Sequence, residues 1–166
     1  MTKLNHFNEH YVHQLSDDEL TDRLINWRLG REYIKQLVPL ARQRMKKLDE
    51  FVPLTEFFFS GDVDLTPVAD AFKVEGATND QLKKALLAFV EATEERDGWT
   101  KEMLEDVGAK WLESLTWTMK QGYPLLRLAV SGRKATPPLW ETMIVLGKEV
   151  TRRRLRRAAD WIGARK

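Results

Sequence analysis

His6, Glu9 and His10 stand in the H-x-x-E-H order of inverted zinc proteases, and His13 follows one turn further on. On a helix the three imidazoles fall along one side, where they could hold zinc while Glu9 serves as general base. The pattern fixes three positions of five, lies at the extreme end of the sequence and has no second carboxylate ligand beside it. No metal site and no catalytic residue are therefore expected. The sequence also lacks a G-x-x-x-x-G-K-[ST] phosphate loop, a G-x-S-x-G elbow and any cysteine, which removes thiolate nucleophiles, thiolate zinc sites and disulfides. The carboxylate pairs Asp17-Asp18 and Glu94-Glu95 read as a helix start and a solvated polar face.

Binding chemistry is concentrated towards the other end. From Trp117 to Lys166 there are 12 Lys+Arg and 3 Asp+Glu, a net of +9, so the remaining residues carry −7 in a chain of net +2. A basic third set against an acidic two-thirds is the footprint of a polyanion binder, or else the solvated face of a basic helix. Arg127 lies among Leu125, Leu126, Leu128 and Val130, so it must surface at the edge of a packed face with a partner or ligand in reach. The turn Ser131-Gly132-Arg133-Lys134-Ala135-Thr136-Pro137-Pro138 puts two cations beside a helix start, whose free amides favour anions. The last helix carries Arg152, Arg153, Arg154, Arg156 and Arg157, more than Glu149 and Asp160 can balance nearby. Phosphate contacts are expected of Arg133, Lys134, Arg152, Arg153, Arg156 and Arg157, with salt-dependent binding by counterion release. Planar guanidinium groups also suit the splayed bases of single-stranded RNA loops.

The elements that position these residues are helical throughout. Ser16-Asp17-Asp18-Glu19 is a capping box that opens a helix over 17–29, stopped by Gly30. Apolar residues from Tyr33 to Leu48 recur at steps of three and four, which predicts a second helix ending before Pro53. The Phe57-Phe58-Phe59 run reads as a buried connector between subdomains. Further helices are expected after Thr66-Pro67, after Thr78, from Trp99-Thr100 to Gly122, through Leu125–Ala129 up to Gly132, after Thr136-Pro137, and over 148–162. The fold class is all-α, with two packed helical subdomains divided at the Gly61–Pro67 stretch, 1–62 and 63–166. No uncharged apolar run approaches the roughly 18 residues of a membrane span, and no secretory signal opens the sequence, so a cytoplasmic protein is expected. Charge on most helices favours a monomer.

Several of these stretches resemble a known family. Pro124-Leu-Leu-Arg127-Leu-Ala-Val-Ser-Gly132, Thr136-Pro-Pro-Leu139-Trp140-Glu, Leu146-Gly-Lys-Glu149 and the Arg-rich last helix resemble the C-terminal segment of bacterial glutamyl-tRNA synthetases. Upstream, Lys3-Leu4-Asn5 with Asn8 and Tyr11 looks like that family's Lys-Leu-x-Trp-Met-Asn-x-x-Tyr motif, with His6 at the usual tryptophan. Gln43-Arg44 through Leu48 and Phe51 resembles its Arg-containing second helix. The resemblance implies a helical anticodon-binding cage whose partner is tRNA, of the glutamate type. It implies that Arg44 reads the third anticodon base and that Arg127, Thr136, Pro137 and Leu139 surround the first two. It also implies that this stretch performs no catalysis, because the family's His-Ile-Gly-His-like and Lys-Met-Ser-Lys-Ser-like motifs have no counterpart here. No cofactor is expected, since ATP and magnesium would belong to that catalytic module. A stand-alone relative acting as an RNA- or protein-interaction module is the alternative.

Overall fold

Capping residues set most of the helix starts. The computed structural model describes residues 3–165, with side chains from residue 8 onward; nine α-helices and no strand are found among them. The all-α reading holds. The chain divides into two compact units, Met1–Pro39 and Leu40–Lys166, so Gly61–Pro67 lies inside the second rather than between the two.

In the first unit, α1 (Lys3–Gln14) precedes α2 (Asp17–Leu24), whose capping box forms as expected. The Ser16 hydroxyl accepts from the Glu19 amide at 3.3 Å, and the Glu19 carboxylate accepts from the Ser16 amide at 2.9 Å. The helical path continues as one π-turn, Ile25–Leu29, up to Gly30. The Arg28 guanidinium lies 5.3 Å from the rings of both Trp27 and Tyr33.

Two expected boundaries move between Arg31 and Phe59. Helix α3 (Arg31–Arg42) stops six residues short of Leu48, although Met45 and Leu48 continue the apolar period. Pro53 does not set that end, since α3 carries Pro39 in its own interior; Pro53 lies instead in the first turn of a new helix, which tolerates its missing amide. That new helix, α4 (Phe51–Phe59), follows a 3₁₀ turn at Leu48–Glu50. The phenylalanine run is therefore helical and not a connector, with Phe57 and Phe58 buried. Short aromatic runs fit a helix or a strand equally well by period, and here helical packing decides.

A 3₁₀ segment, Thr66–Ala71, follows with Pro67 in its first turn; Asp64, rather than Thr66, accepts at its start, taking the Thr66 amide at 2.9 Å. Helix α5 (Asn79–Glu94) is capped by Thr78 and buries Leu82, Leu86, Phe89, Val90 and Thr93 as expected. Helix α6 (Lys101–Leu115), capped by Thr100, ends at Thr116 in a left-handed conformation (φ 55°), well before Gly122. The next helix, α7 (Met119–Ser131), starts at Thr118, whose amide donates to the Gln121 side chain at 2.9 Å. Gly122 is thus inside a helix. Its function is close approach, since a Cβ there would stand 2.6 Å from the Trp111 ring and 2.4 Å from Leu112.

Gly132 ends α7 with φ 66°, where a Cβ would stand 2.8 Å from the Asp64 carbonyl. Helices α8 (Leu139–Leu146) and α9 (Lys148–Gly163) complete the unit. Helix α9 packs along α5 and also meets α7 and α8; α6 packs on α5 and α8. Phe89, Trp111 and Trp140 form the aromatic centre, with Phe89 edge-on to Trp111 at 5.5 Å and stacked on Trp140 at 6.3 Å. The buried Trp111 indole donates to the Ala85 carbonyl at 2.7 Å, so its one polar atom is satisfied. Among the described residues no helix is long and apolar enough to cross a membrane.

Candidate functional site

Arg127 emerges where its neighbours demand. Leu125, Leu126, Leu128 and Val130 on α7 are buried, and the Arg127 side chain is half-buried between them and solvent. Among the described residues it has no ion pair and no hydrogen bond, and its Nε is buried without a partner. Burial, and then the charge of Arg44, hold its pKa below the ordinary arginine value. Arg44 comes from the turn after α3, is exposed, and lines an open concavity of about 440 Å³ with Lys46, Lys47, Glu50, Pro53 and Leu54. Two guanidinium groups of the same unit therefore repel one another, and one of them is partly dry with a donor unused. A group bearing acceptors, such as a base edge or a phosphate, relieves both costs.

The turn after α7 is built differently from expectation. Arg133 faces inward: its guanidinium donates to the Pro53 carbonyl and to Glu56 and lies over the Phe57 ring. Lys134 reaches Asp70 at 3.1 Å. Thr136, Pro137 and Leu139 are buried, and the Thr136 hydroxyl donates to the Pro137 carbonyl at 2.9 Å. The N-cap position of α8 belongs to Pro138, not Thr136, so the first amides of α8 have no side-chain cap. What this turn offers a ligand is backbone and shape, not exposed side chains of those three residues.

Charge balance along α9 comes from outside the helix. Glu94, the last residue of α5, accepts from both Arg152 and Arg156, and Arg152 also meets Glu149 at 2.9 Å. Asp62 takes Arg153 at 3.3 Å and Arg157, while Arg153 donates to the Gly61 carbonyl at 2.7 Å. Arg154 is not at the surface at all; it is 1% exposed and surrounded by backbone carbonyls. The expectation that nearby acids could not balance these arginines considered only residues close in sequence, and the two partners that matter lie 58 to 95 positions away. Sequence reading missed Glu94 and Asp62 for that reason. It had a signal for Arg154, since Thr151, Leu155, Ala158 and Ile162 place residue 154 on the same buried stripe.

One consequence is measurable. The Arg152 hydrogen bond first, with the Arg152 and Arg156 charges behind it, holds the Glu94 carboxyl below its ordinary 4.5. A carboxyl whose folded pKa lies below its unfolded value stabilises the protein above the unfolded value and loses that contribution as pH falls through the folded one. Glu94→Gln is therefore expected to melt about 2 °C below the wild type at pH 7. The gap should close below pH 4.5. A pH series of thermal melts checks it, and a gap unchanged at pH 3 would remove Glu94 as the shared acceptor.

The His6 side chain lies outside the described residues. Among those described, no three His, Asp or Glu are placed to hold a metal, and the His10 Nε2 is 2.9 Å from the Gln14 side-chain amide.

Against this geometry, comparison with known proteins gives a consistent result. The family model of the anticodon binding domain matches residues 19–159. The chain is 36% identical to the glutamate–tRNA ligase of Chlamydia caviae over 97% of its own length and 32% of the relative's. It is 34% identical to that of Chlamydia abortus and 27% identical to that of Pseudomonas fluorescens, each over 97% of the chain and 32% of the relative. The chain thus spans about a third of the length of the relatives it matches.

Proposed function

The chain belongs to the family of anticodon-binding domains, and from that we propose that it holds the anticodon loop of a tRNA, a glutamate tRNA by its likeness to the ligases. Arg44 reads the third anticodon base. Arg127, with the turn formed by Thr136, Pro137 and Leu139, receives the first two. The observation that carries this reading is the half-buried Arg127, with an unused donor and a second guanidinium acting on it from Arg44. A fold that maintains such an arrangement without an internal acceptor is arranged for an external one.

This chain recognises and does not catalyse. On this reading glutamate activation, and the ATP and magnesium it would use, lie outside the third of the relatives' length that the chain matches. Phosphate contacts from Lys134, Arg133, Arg152, Arg153, Arg156 and Arg157 require each cation to exchange an existing partner for a phosphate, so they add modestly to affinity. Arg44 and Arg127, whose side chains have no such partner among the described residues, carry the larger share. The domain acts as a monomer, in the cytoplasm.

A binding titration of the chain against a glutamate-tRNA anticodon stem-loop, and against the same stem with a scrambled anticodon, tests the reading at several salt concentrations. Preference for the authentic loop is expected to be about 10- to 100-fold. The log–log salt slope is expected to be only about −2 to −3, as for three or four contacts to a single strand. Equal binding to both loops would replace anticodon reading by an interaction module of another kind.

A further inference from the structure

We infer that Glu50 is the positioning residue of Arg44: its carboxylate shapes the loop from which Arg44 is presented. The inference rests on the reading of Arg44 given above. The Arg44 side chain has no ion pair or hydrogen bond among the described residues, so nothing at its own tip fixes where it points. Its direction is therefore set by its backbone. On the near side that backbone is tied to α3, since the amides of Arg44 and Met45 both donate to the Ala41 carbonyl, at 2.9 and 3.1 Å, and Ala41 is buried. On the far side the helical ladder has ended. There the amides of Lys46 and Lys47 both donate to Oε2 of Glu50, at 2.6 and 3.4 Å, and the Glu50 amide returns to the Lys47 carbonyl at 3.3 Å.

The Glu50 carboxylate thus does for this loop what a capping side chain does for a helix end, satisfying two orphan amides with one charged acceptor. Electrostatics makes the tie more necessary. Arg42, Arg44, Lys46 and Lys47 fall within six residues and repel one another, and the Arg127 charge adds to that repulsion. Asp49 engages Lys47 at only 3.8 Å, with both side chains exposed. Glu50 lines the same concavity as Arg44, so releasing the loop changes the shape of the pocket a base would enter.

The test compares the full chain and its Glu50→Ala, Glu50→Asp, Glu50→Gln and Arg44→Ala variants. Each is titrated with a glutamate-tRNA anticodon stem-loop and with the same stem-loop changed only at the third anticodon base. The wild-type preference is expected to be about tenfold or more. Glu50→Ala and Glu50→Asp are expected to bring the ratio of the two Kd values to near one, while affinity for the changed loop stays within about twofold. Aspartate keeps the charge at the start of α4 but is one methylene too short to reach both amides. Glutamine keeps an acceptor oxygen at the same reach and should retain most of the ratio. A purely structural role would shift thermal melts without moving the ratio. Glu50→Ala and Glu50→Asp variants that discriminate as the wild type does, beside an Arg44→Ala variant that does not, overturn the inference alone. A wild type without preference, or an Arg44→Ala variant that keeps it, overturns the reading of Arg44 and the inference with it.

Discussion

Arg127→Met should bind the authentic anticodon stem-loop roughly 10- to 100-fold more weakly, about 1.5–3 kcal/mol, and yet melt no lower than the wild type. The two halves of this expectation have one cause. The guanidinium is half-buried with its Nε unsatisfied, and both burial and Arg44 act against its charge. Methionine keeps an unbranched apolar stem at this half-buried position and removes the unpaired charge, which is often neutral or stabilising. The RNA then loses a base contact and nothing else, so binding to a scrambled loop should change by less than about threefold. Stem-loop titrations beside thermal melts read both quantities. Equal loss for every RNA would make Arg127 a phosphate contact, and a melt lowered by several degrees would mean that the side chain has a structural partner in the folded protein.

The opposite behaviour is expected of Arg154. Its guanidinium donates to the carbonyls of Val130, Phe57 and Ser60, each at 2.6 Å, and its Nε to that of Gly61 at 3.3 Å. These carbonyls sit at the end of α7, at the end of α4 and in the segment beyond it, so one buried side chain ties three parts of the second unit to α9. Arg154→Met removes every one of those donors and leaves the Val130 and Phe57 carbonyls without them in a dry environment, whereas the Gly61 carbonyl keeps Arg153. The cost is about 3–5 kcal/mol, which for a domain of this size lowers the melting midpoint by roughly 10–15 °C. Arg157→Met, one turn along and exposed on the Asp62 side, should shift it by less than about 2 °C. Melts of the two variants side by side decide the matter; similar curves would show that the carbonyls around Arg154 do not depend on it.

The contrast between these arginines shows where sequence reasoning succeeds. Arg127 was legible because its four apolar neighbours leave a charged side chain one place to go, the edge of the packed face. The caps at Ser16, Thr78 and Thr100 and the stop at Gly132 were legible because each is a contact between residues at most four apart. The end of α3 was harder: Met45 and Leu48 kept the helical period, and the competing signal, a carboxylate three residues beyond Lys47, lacked the Ser or Thr that ordinarily marks a capping box. Gly122 was misread as a stop because a glycine required for close packing against Trp111 looks the same in sequence as one required for a left-handed turn. The Thr136 turn shows the limit of a family resemblance, which can match a position without revealing that its side chain is buried.

By itself the sequence determined the all-α class, most helix starts, the family, and the candidacy of Arg44 and Arg127, because periodicity, capping and solvation of a charge act over a few neighbouring residues. Only the tertiary structure decided which cations remain available for a ligand. Glu94 comes from α5 and Asp62 from the segment after α4, and both neutralise arginines on α9 that outnumber every acid near them in the chain. An ion pair depends on distance in space, and folding brings together charges that no local pattern relates. The basic appearance of the last helix is thus largely spent within the fold, while Arg127, with fewer charges around it in sequence, has no side-chain hydrogen bond or ion pair among the described residues.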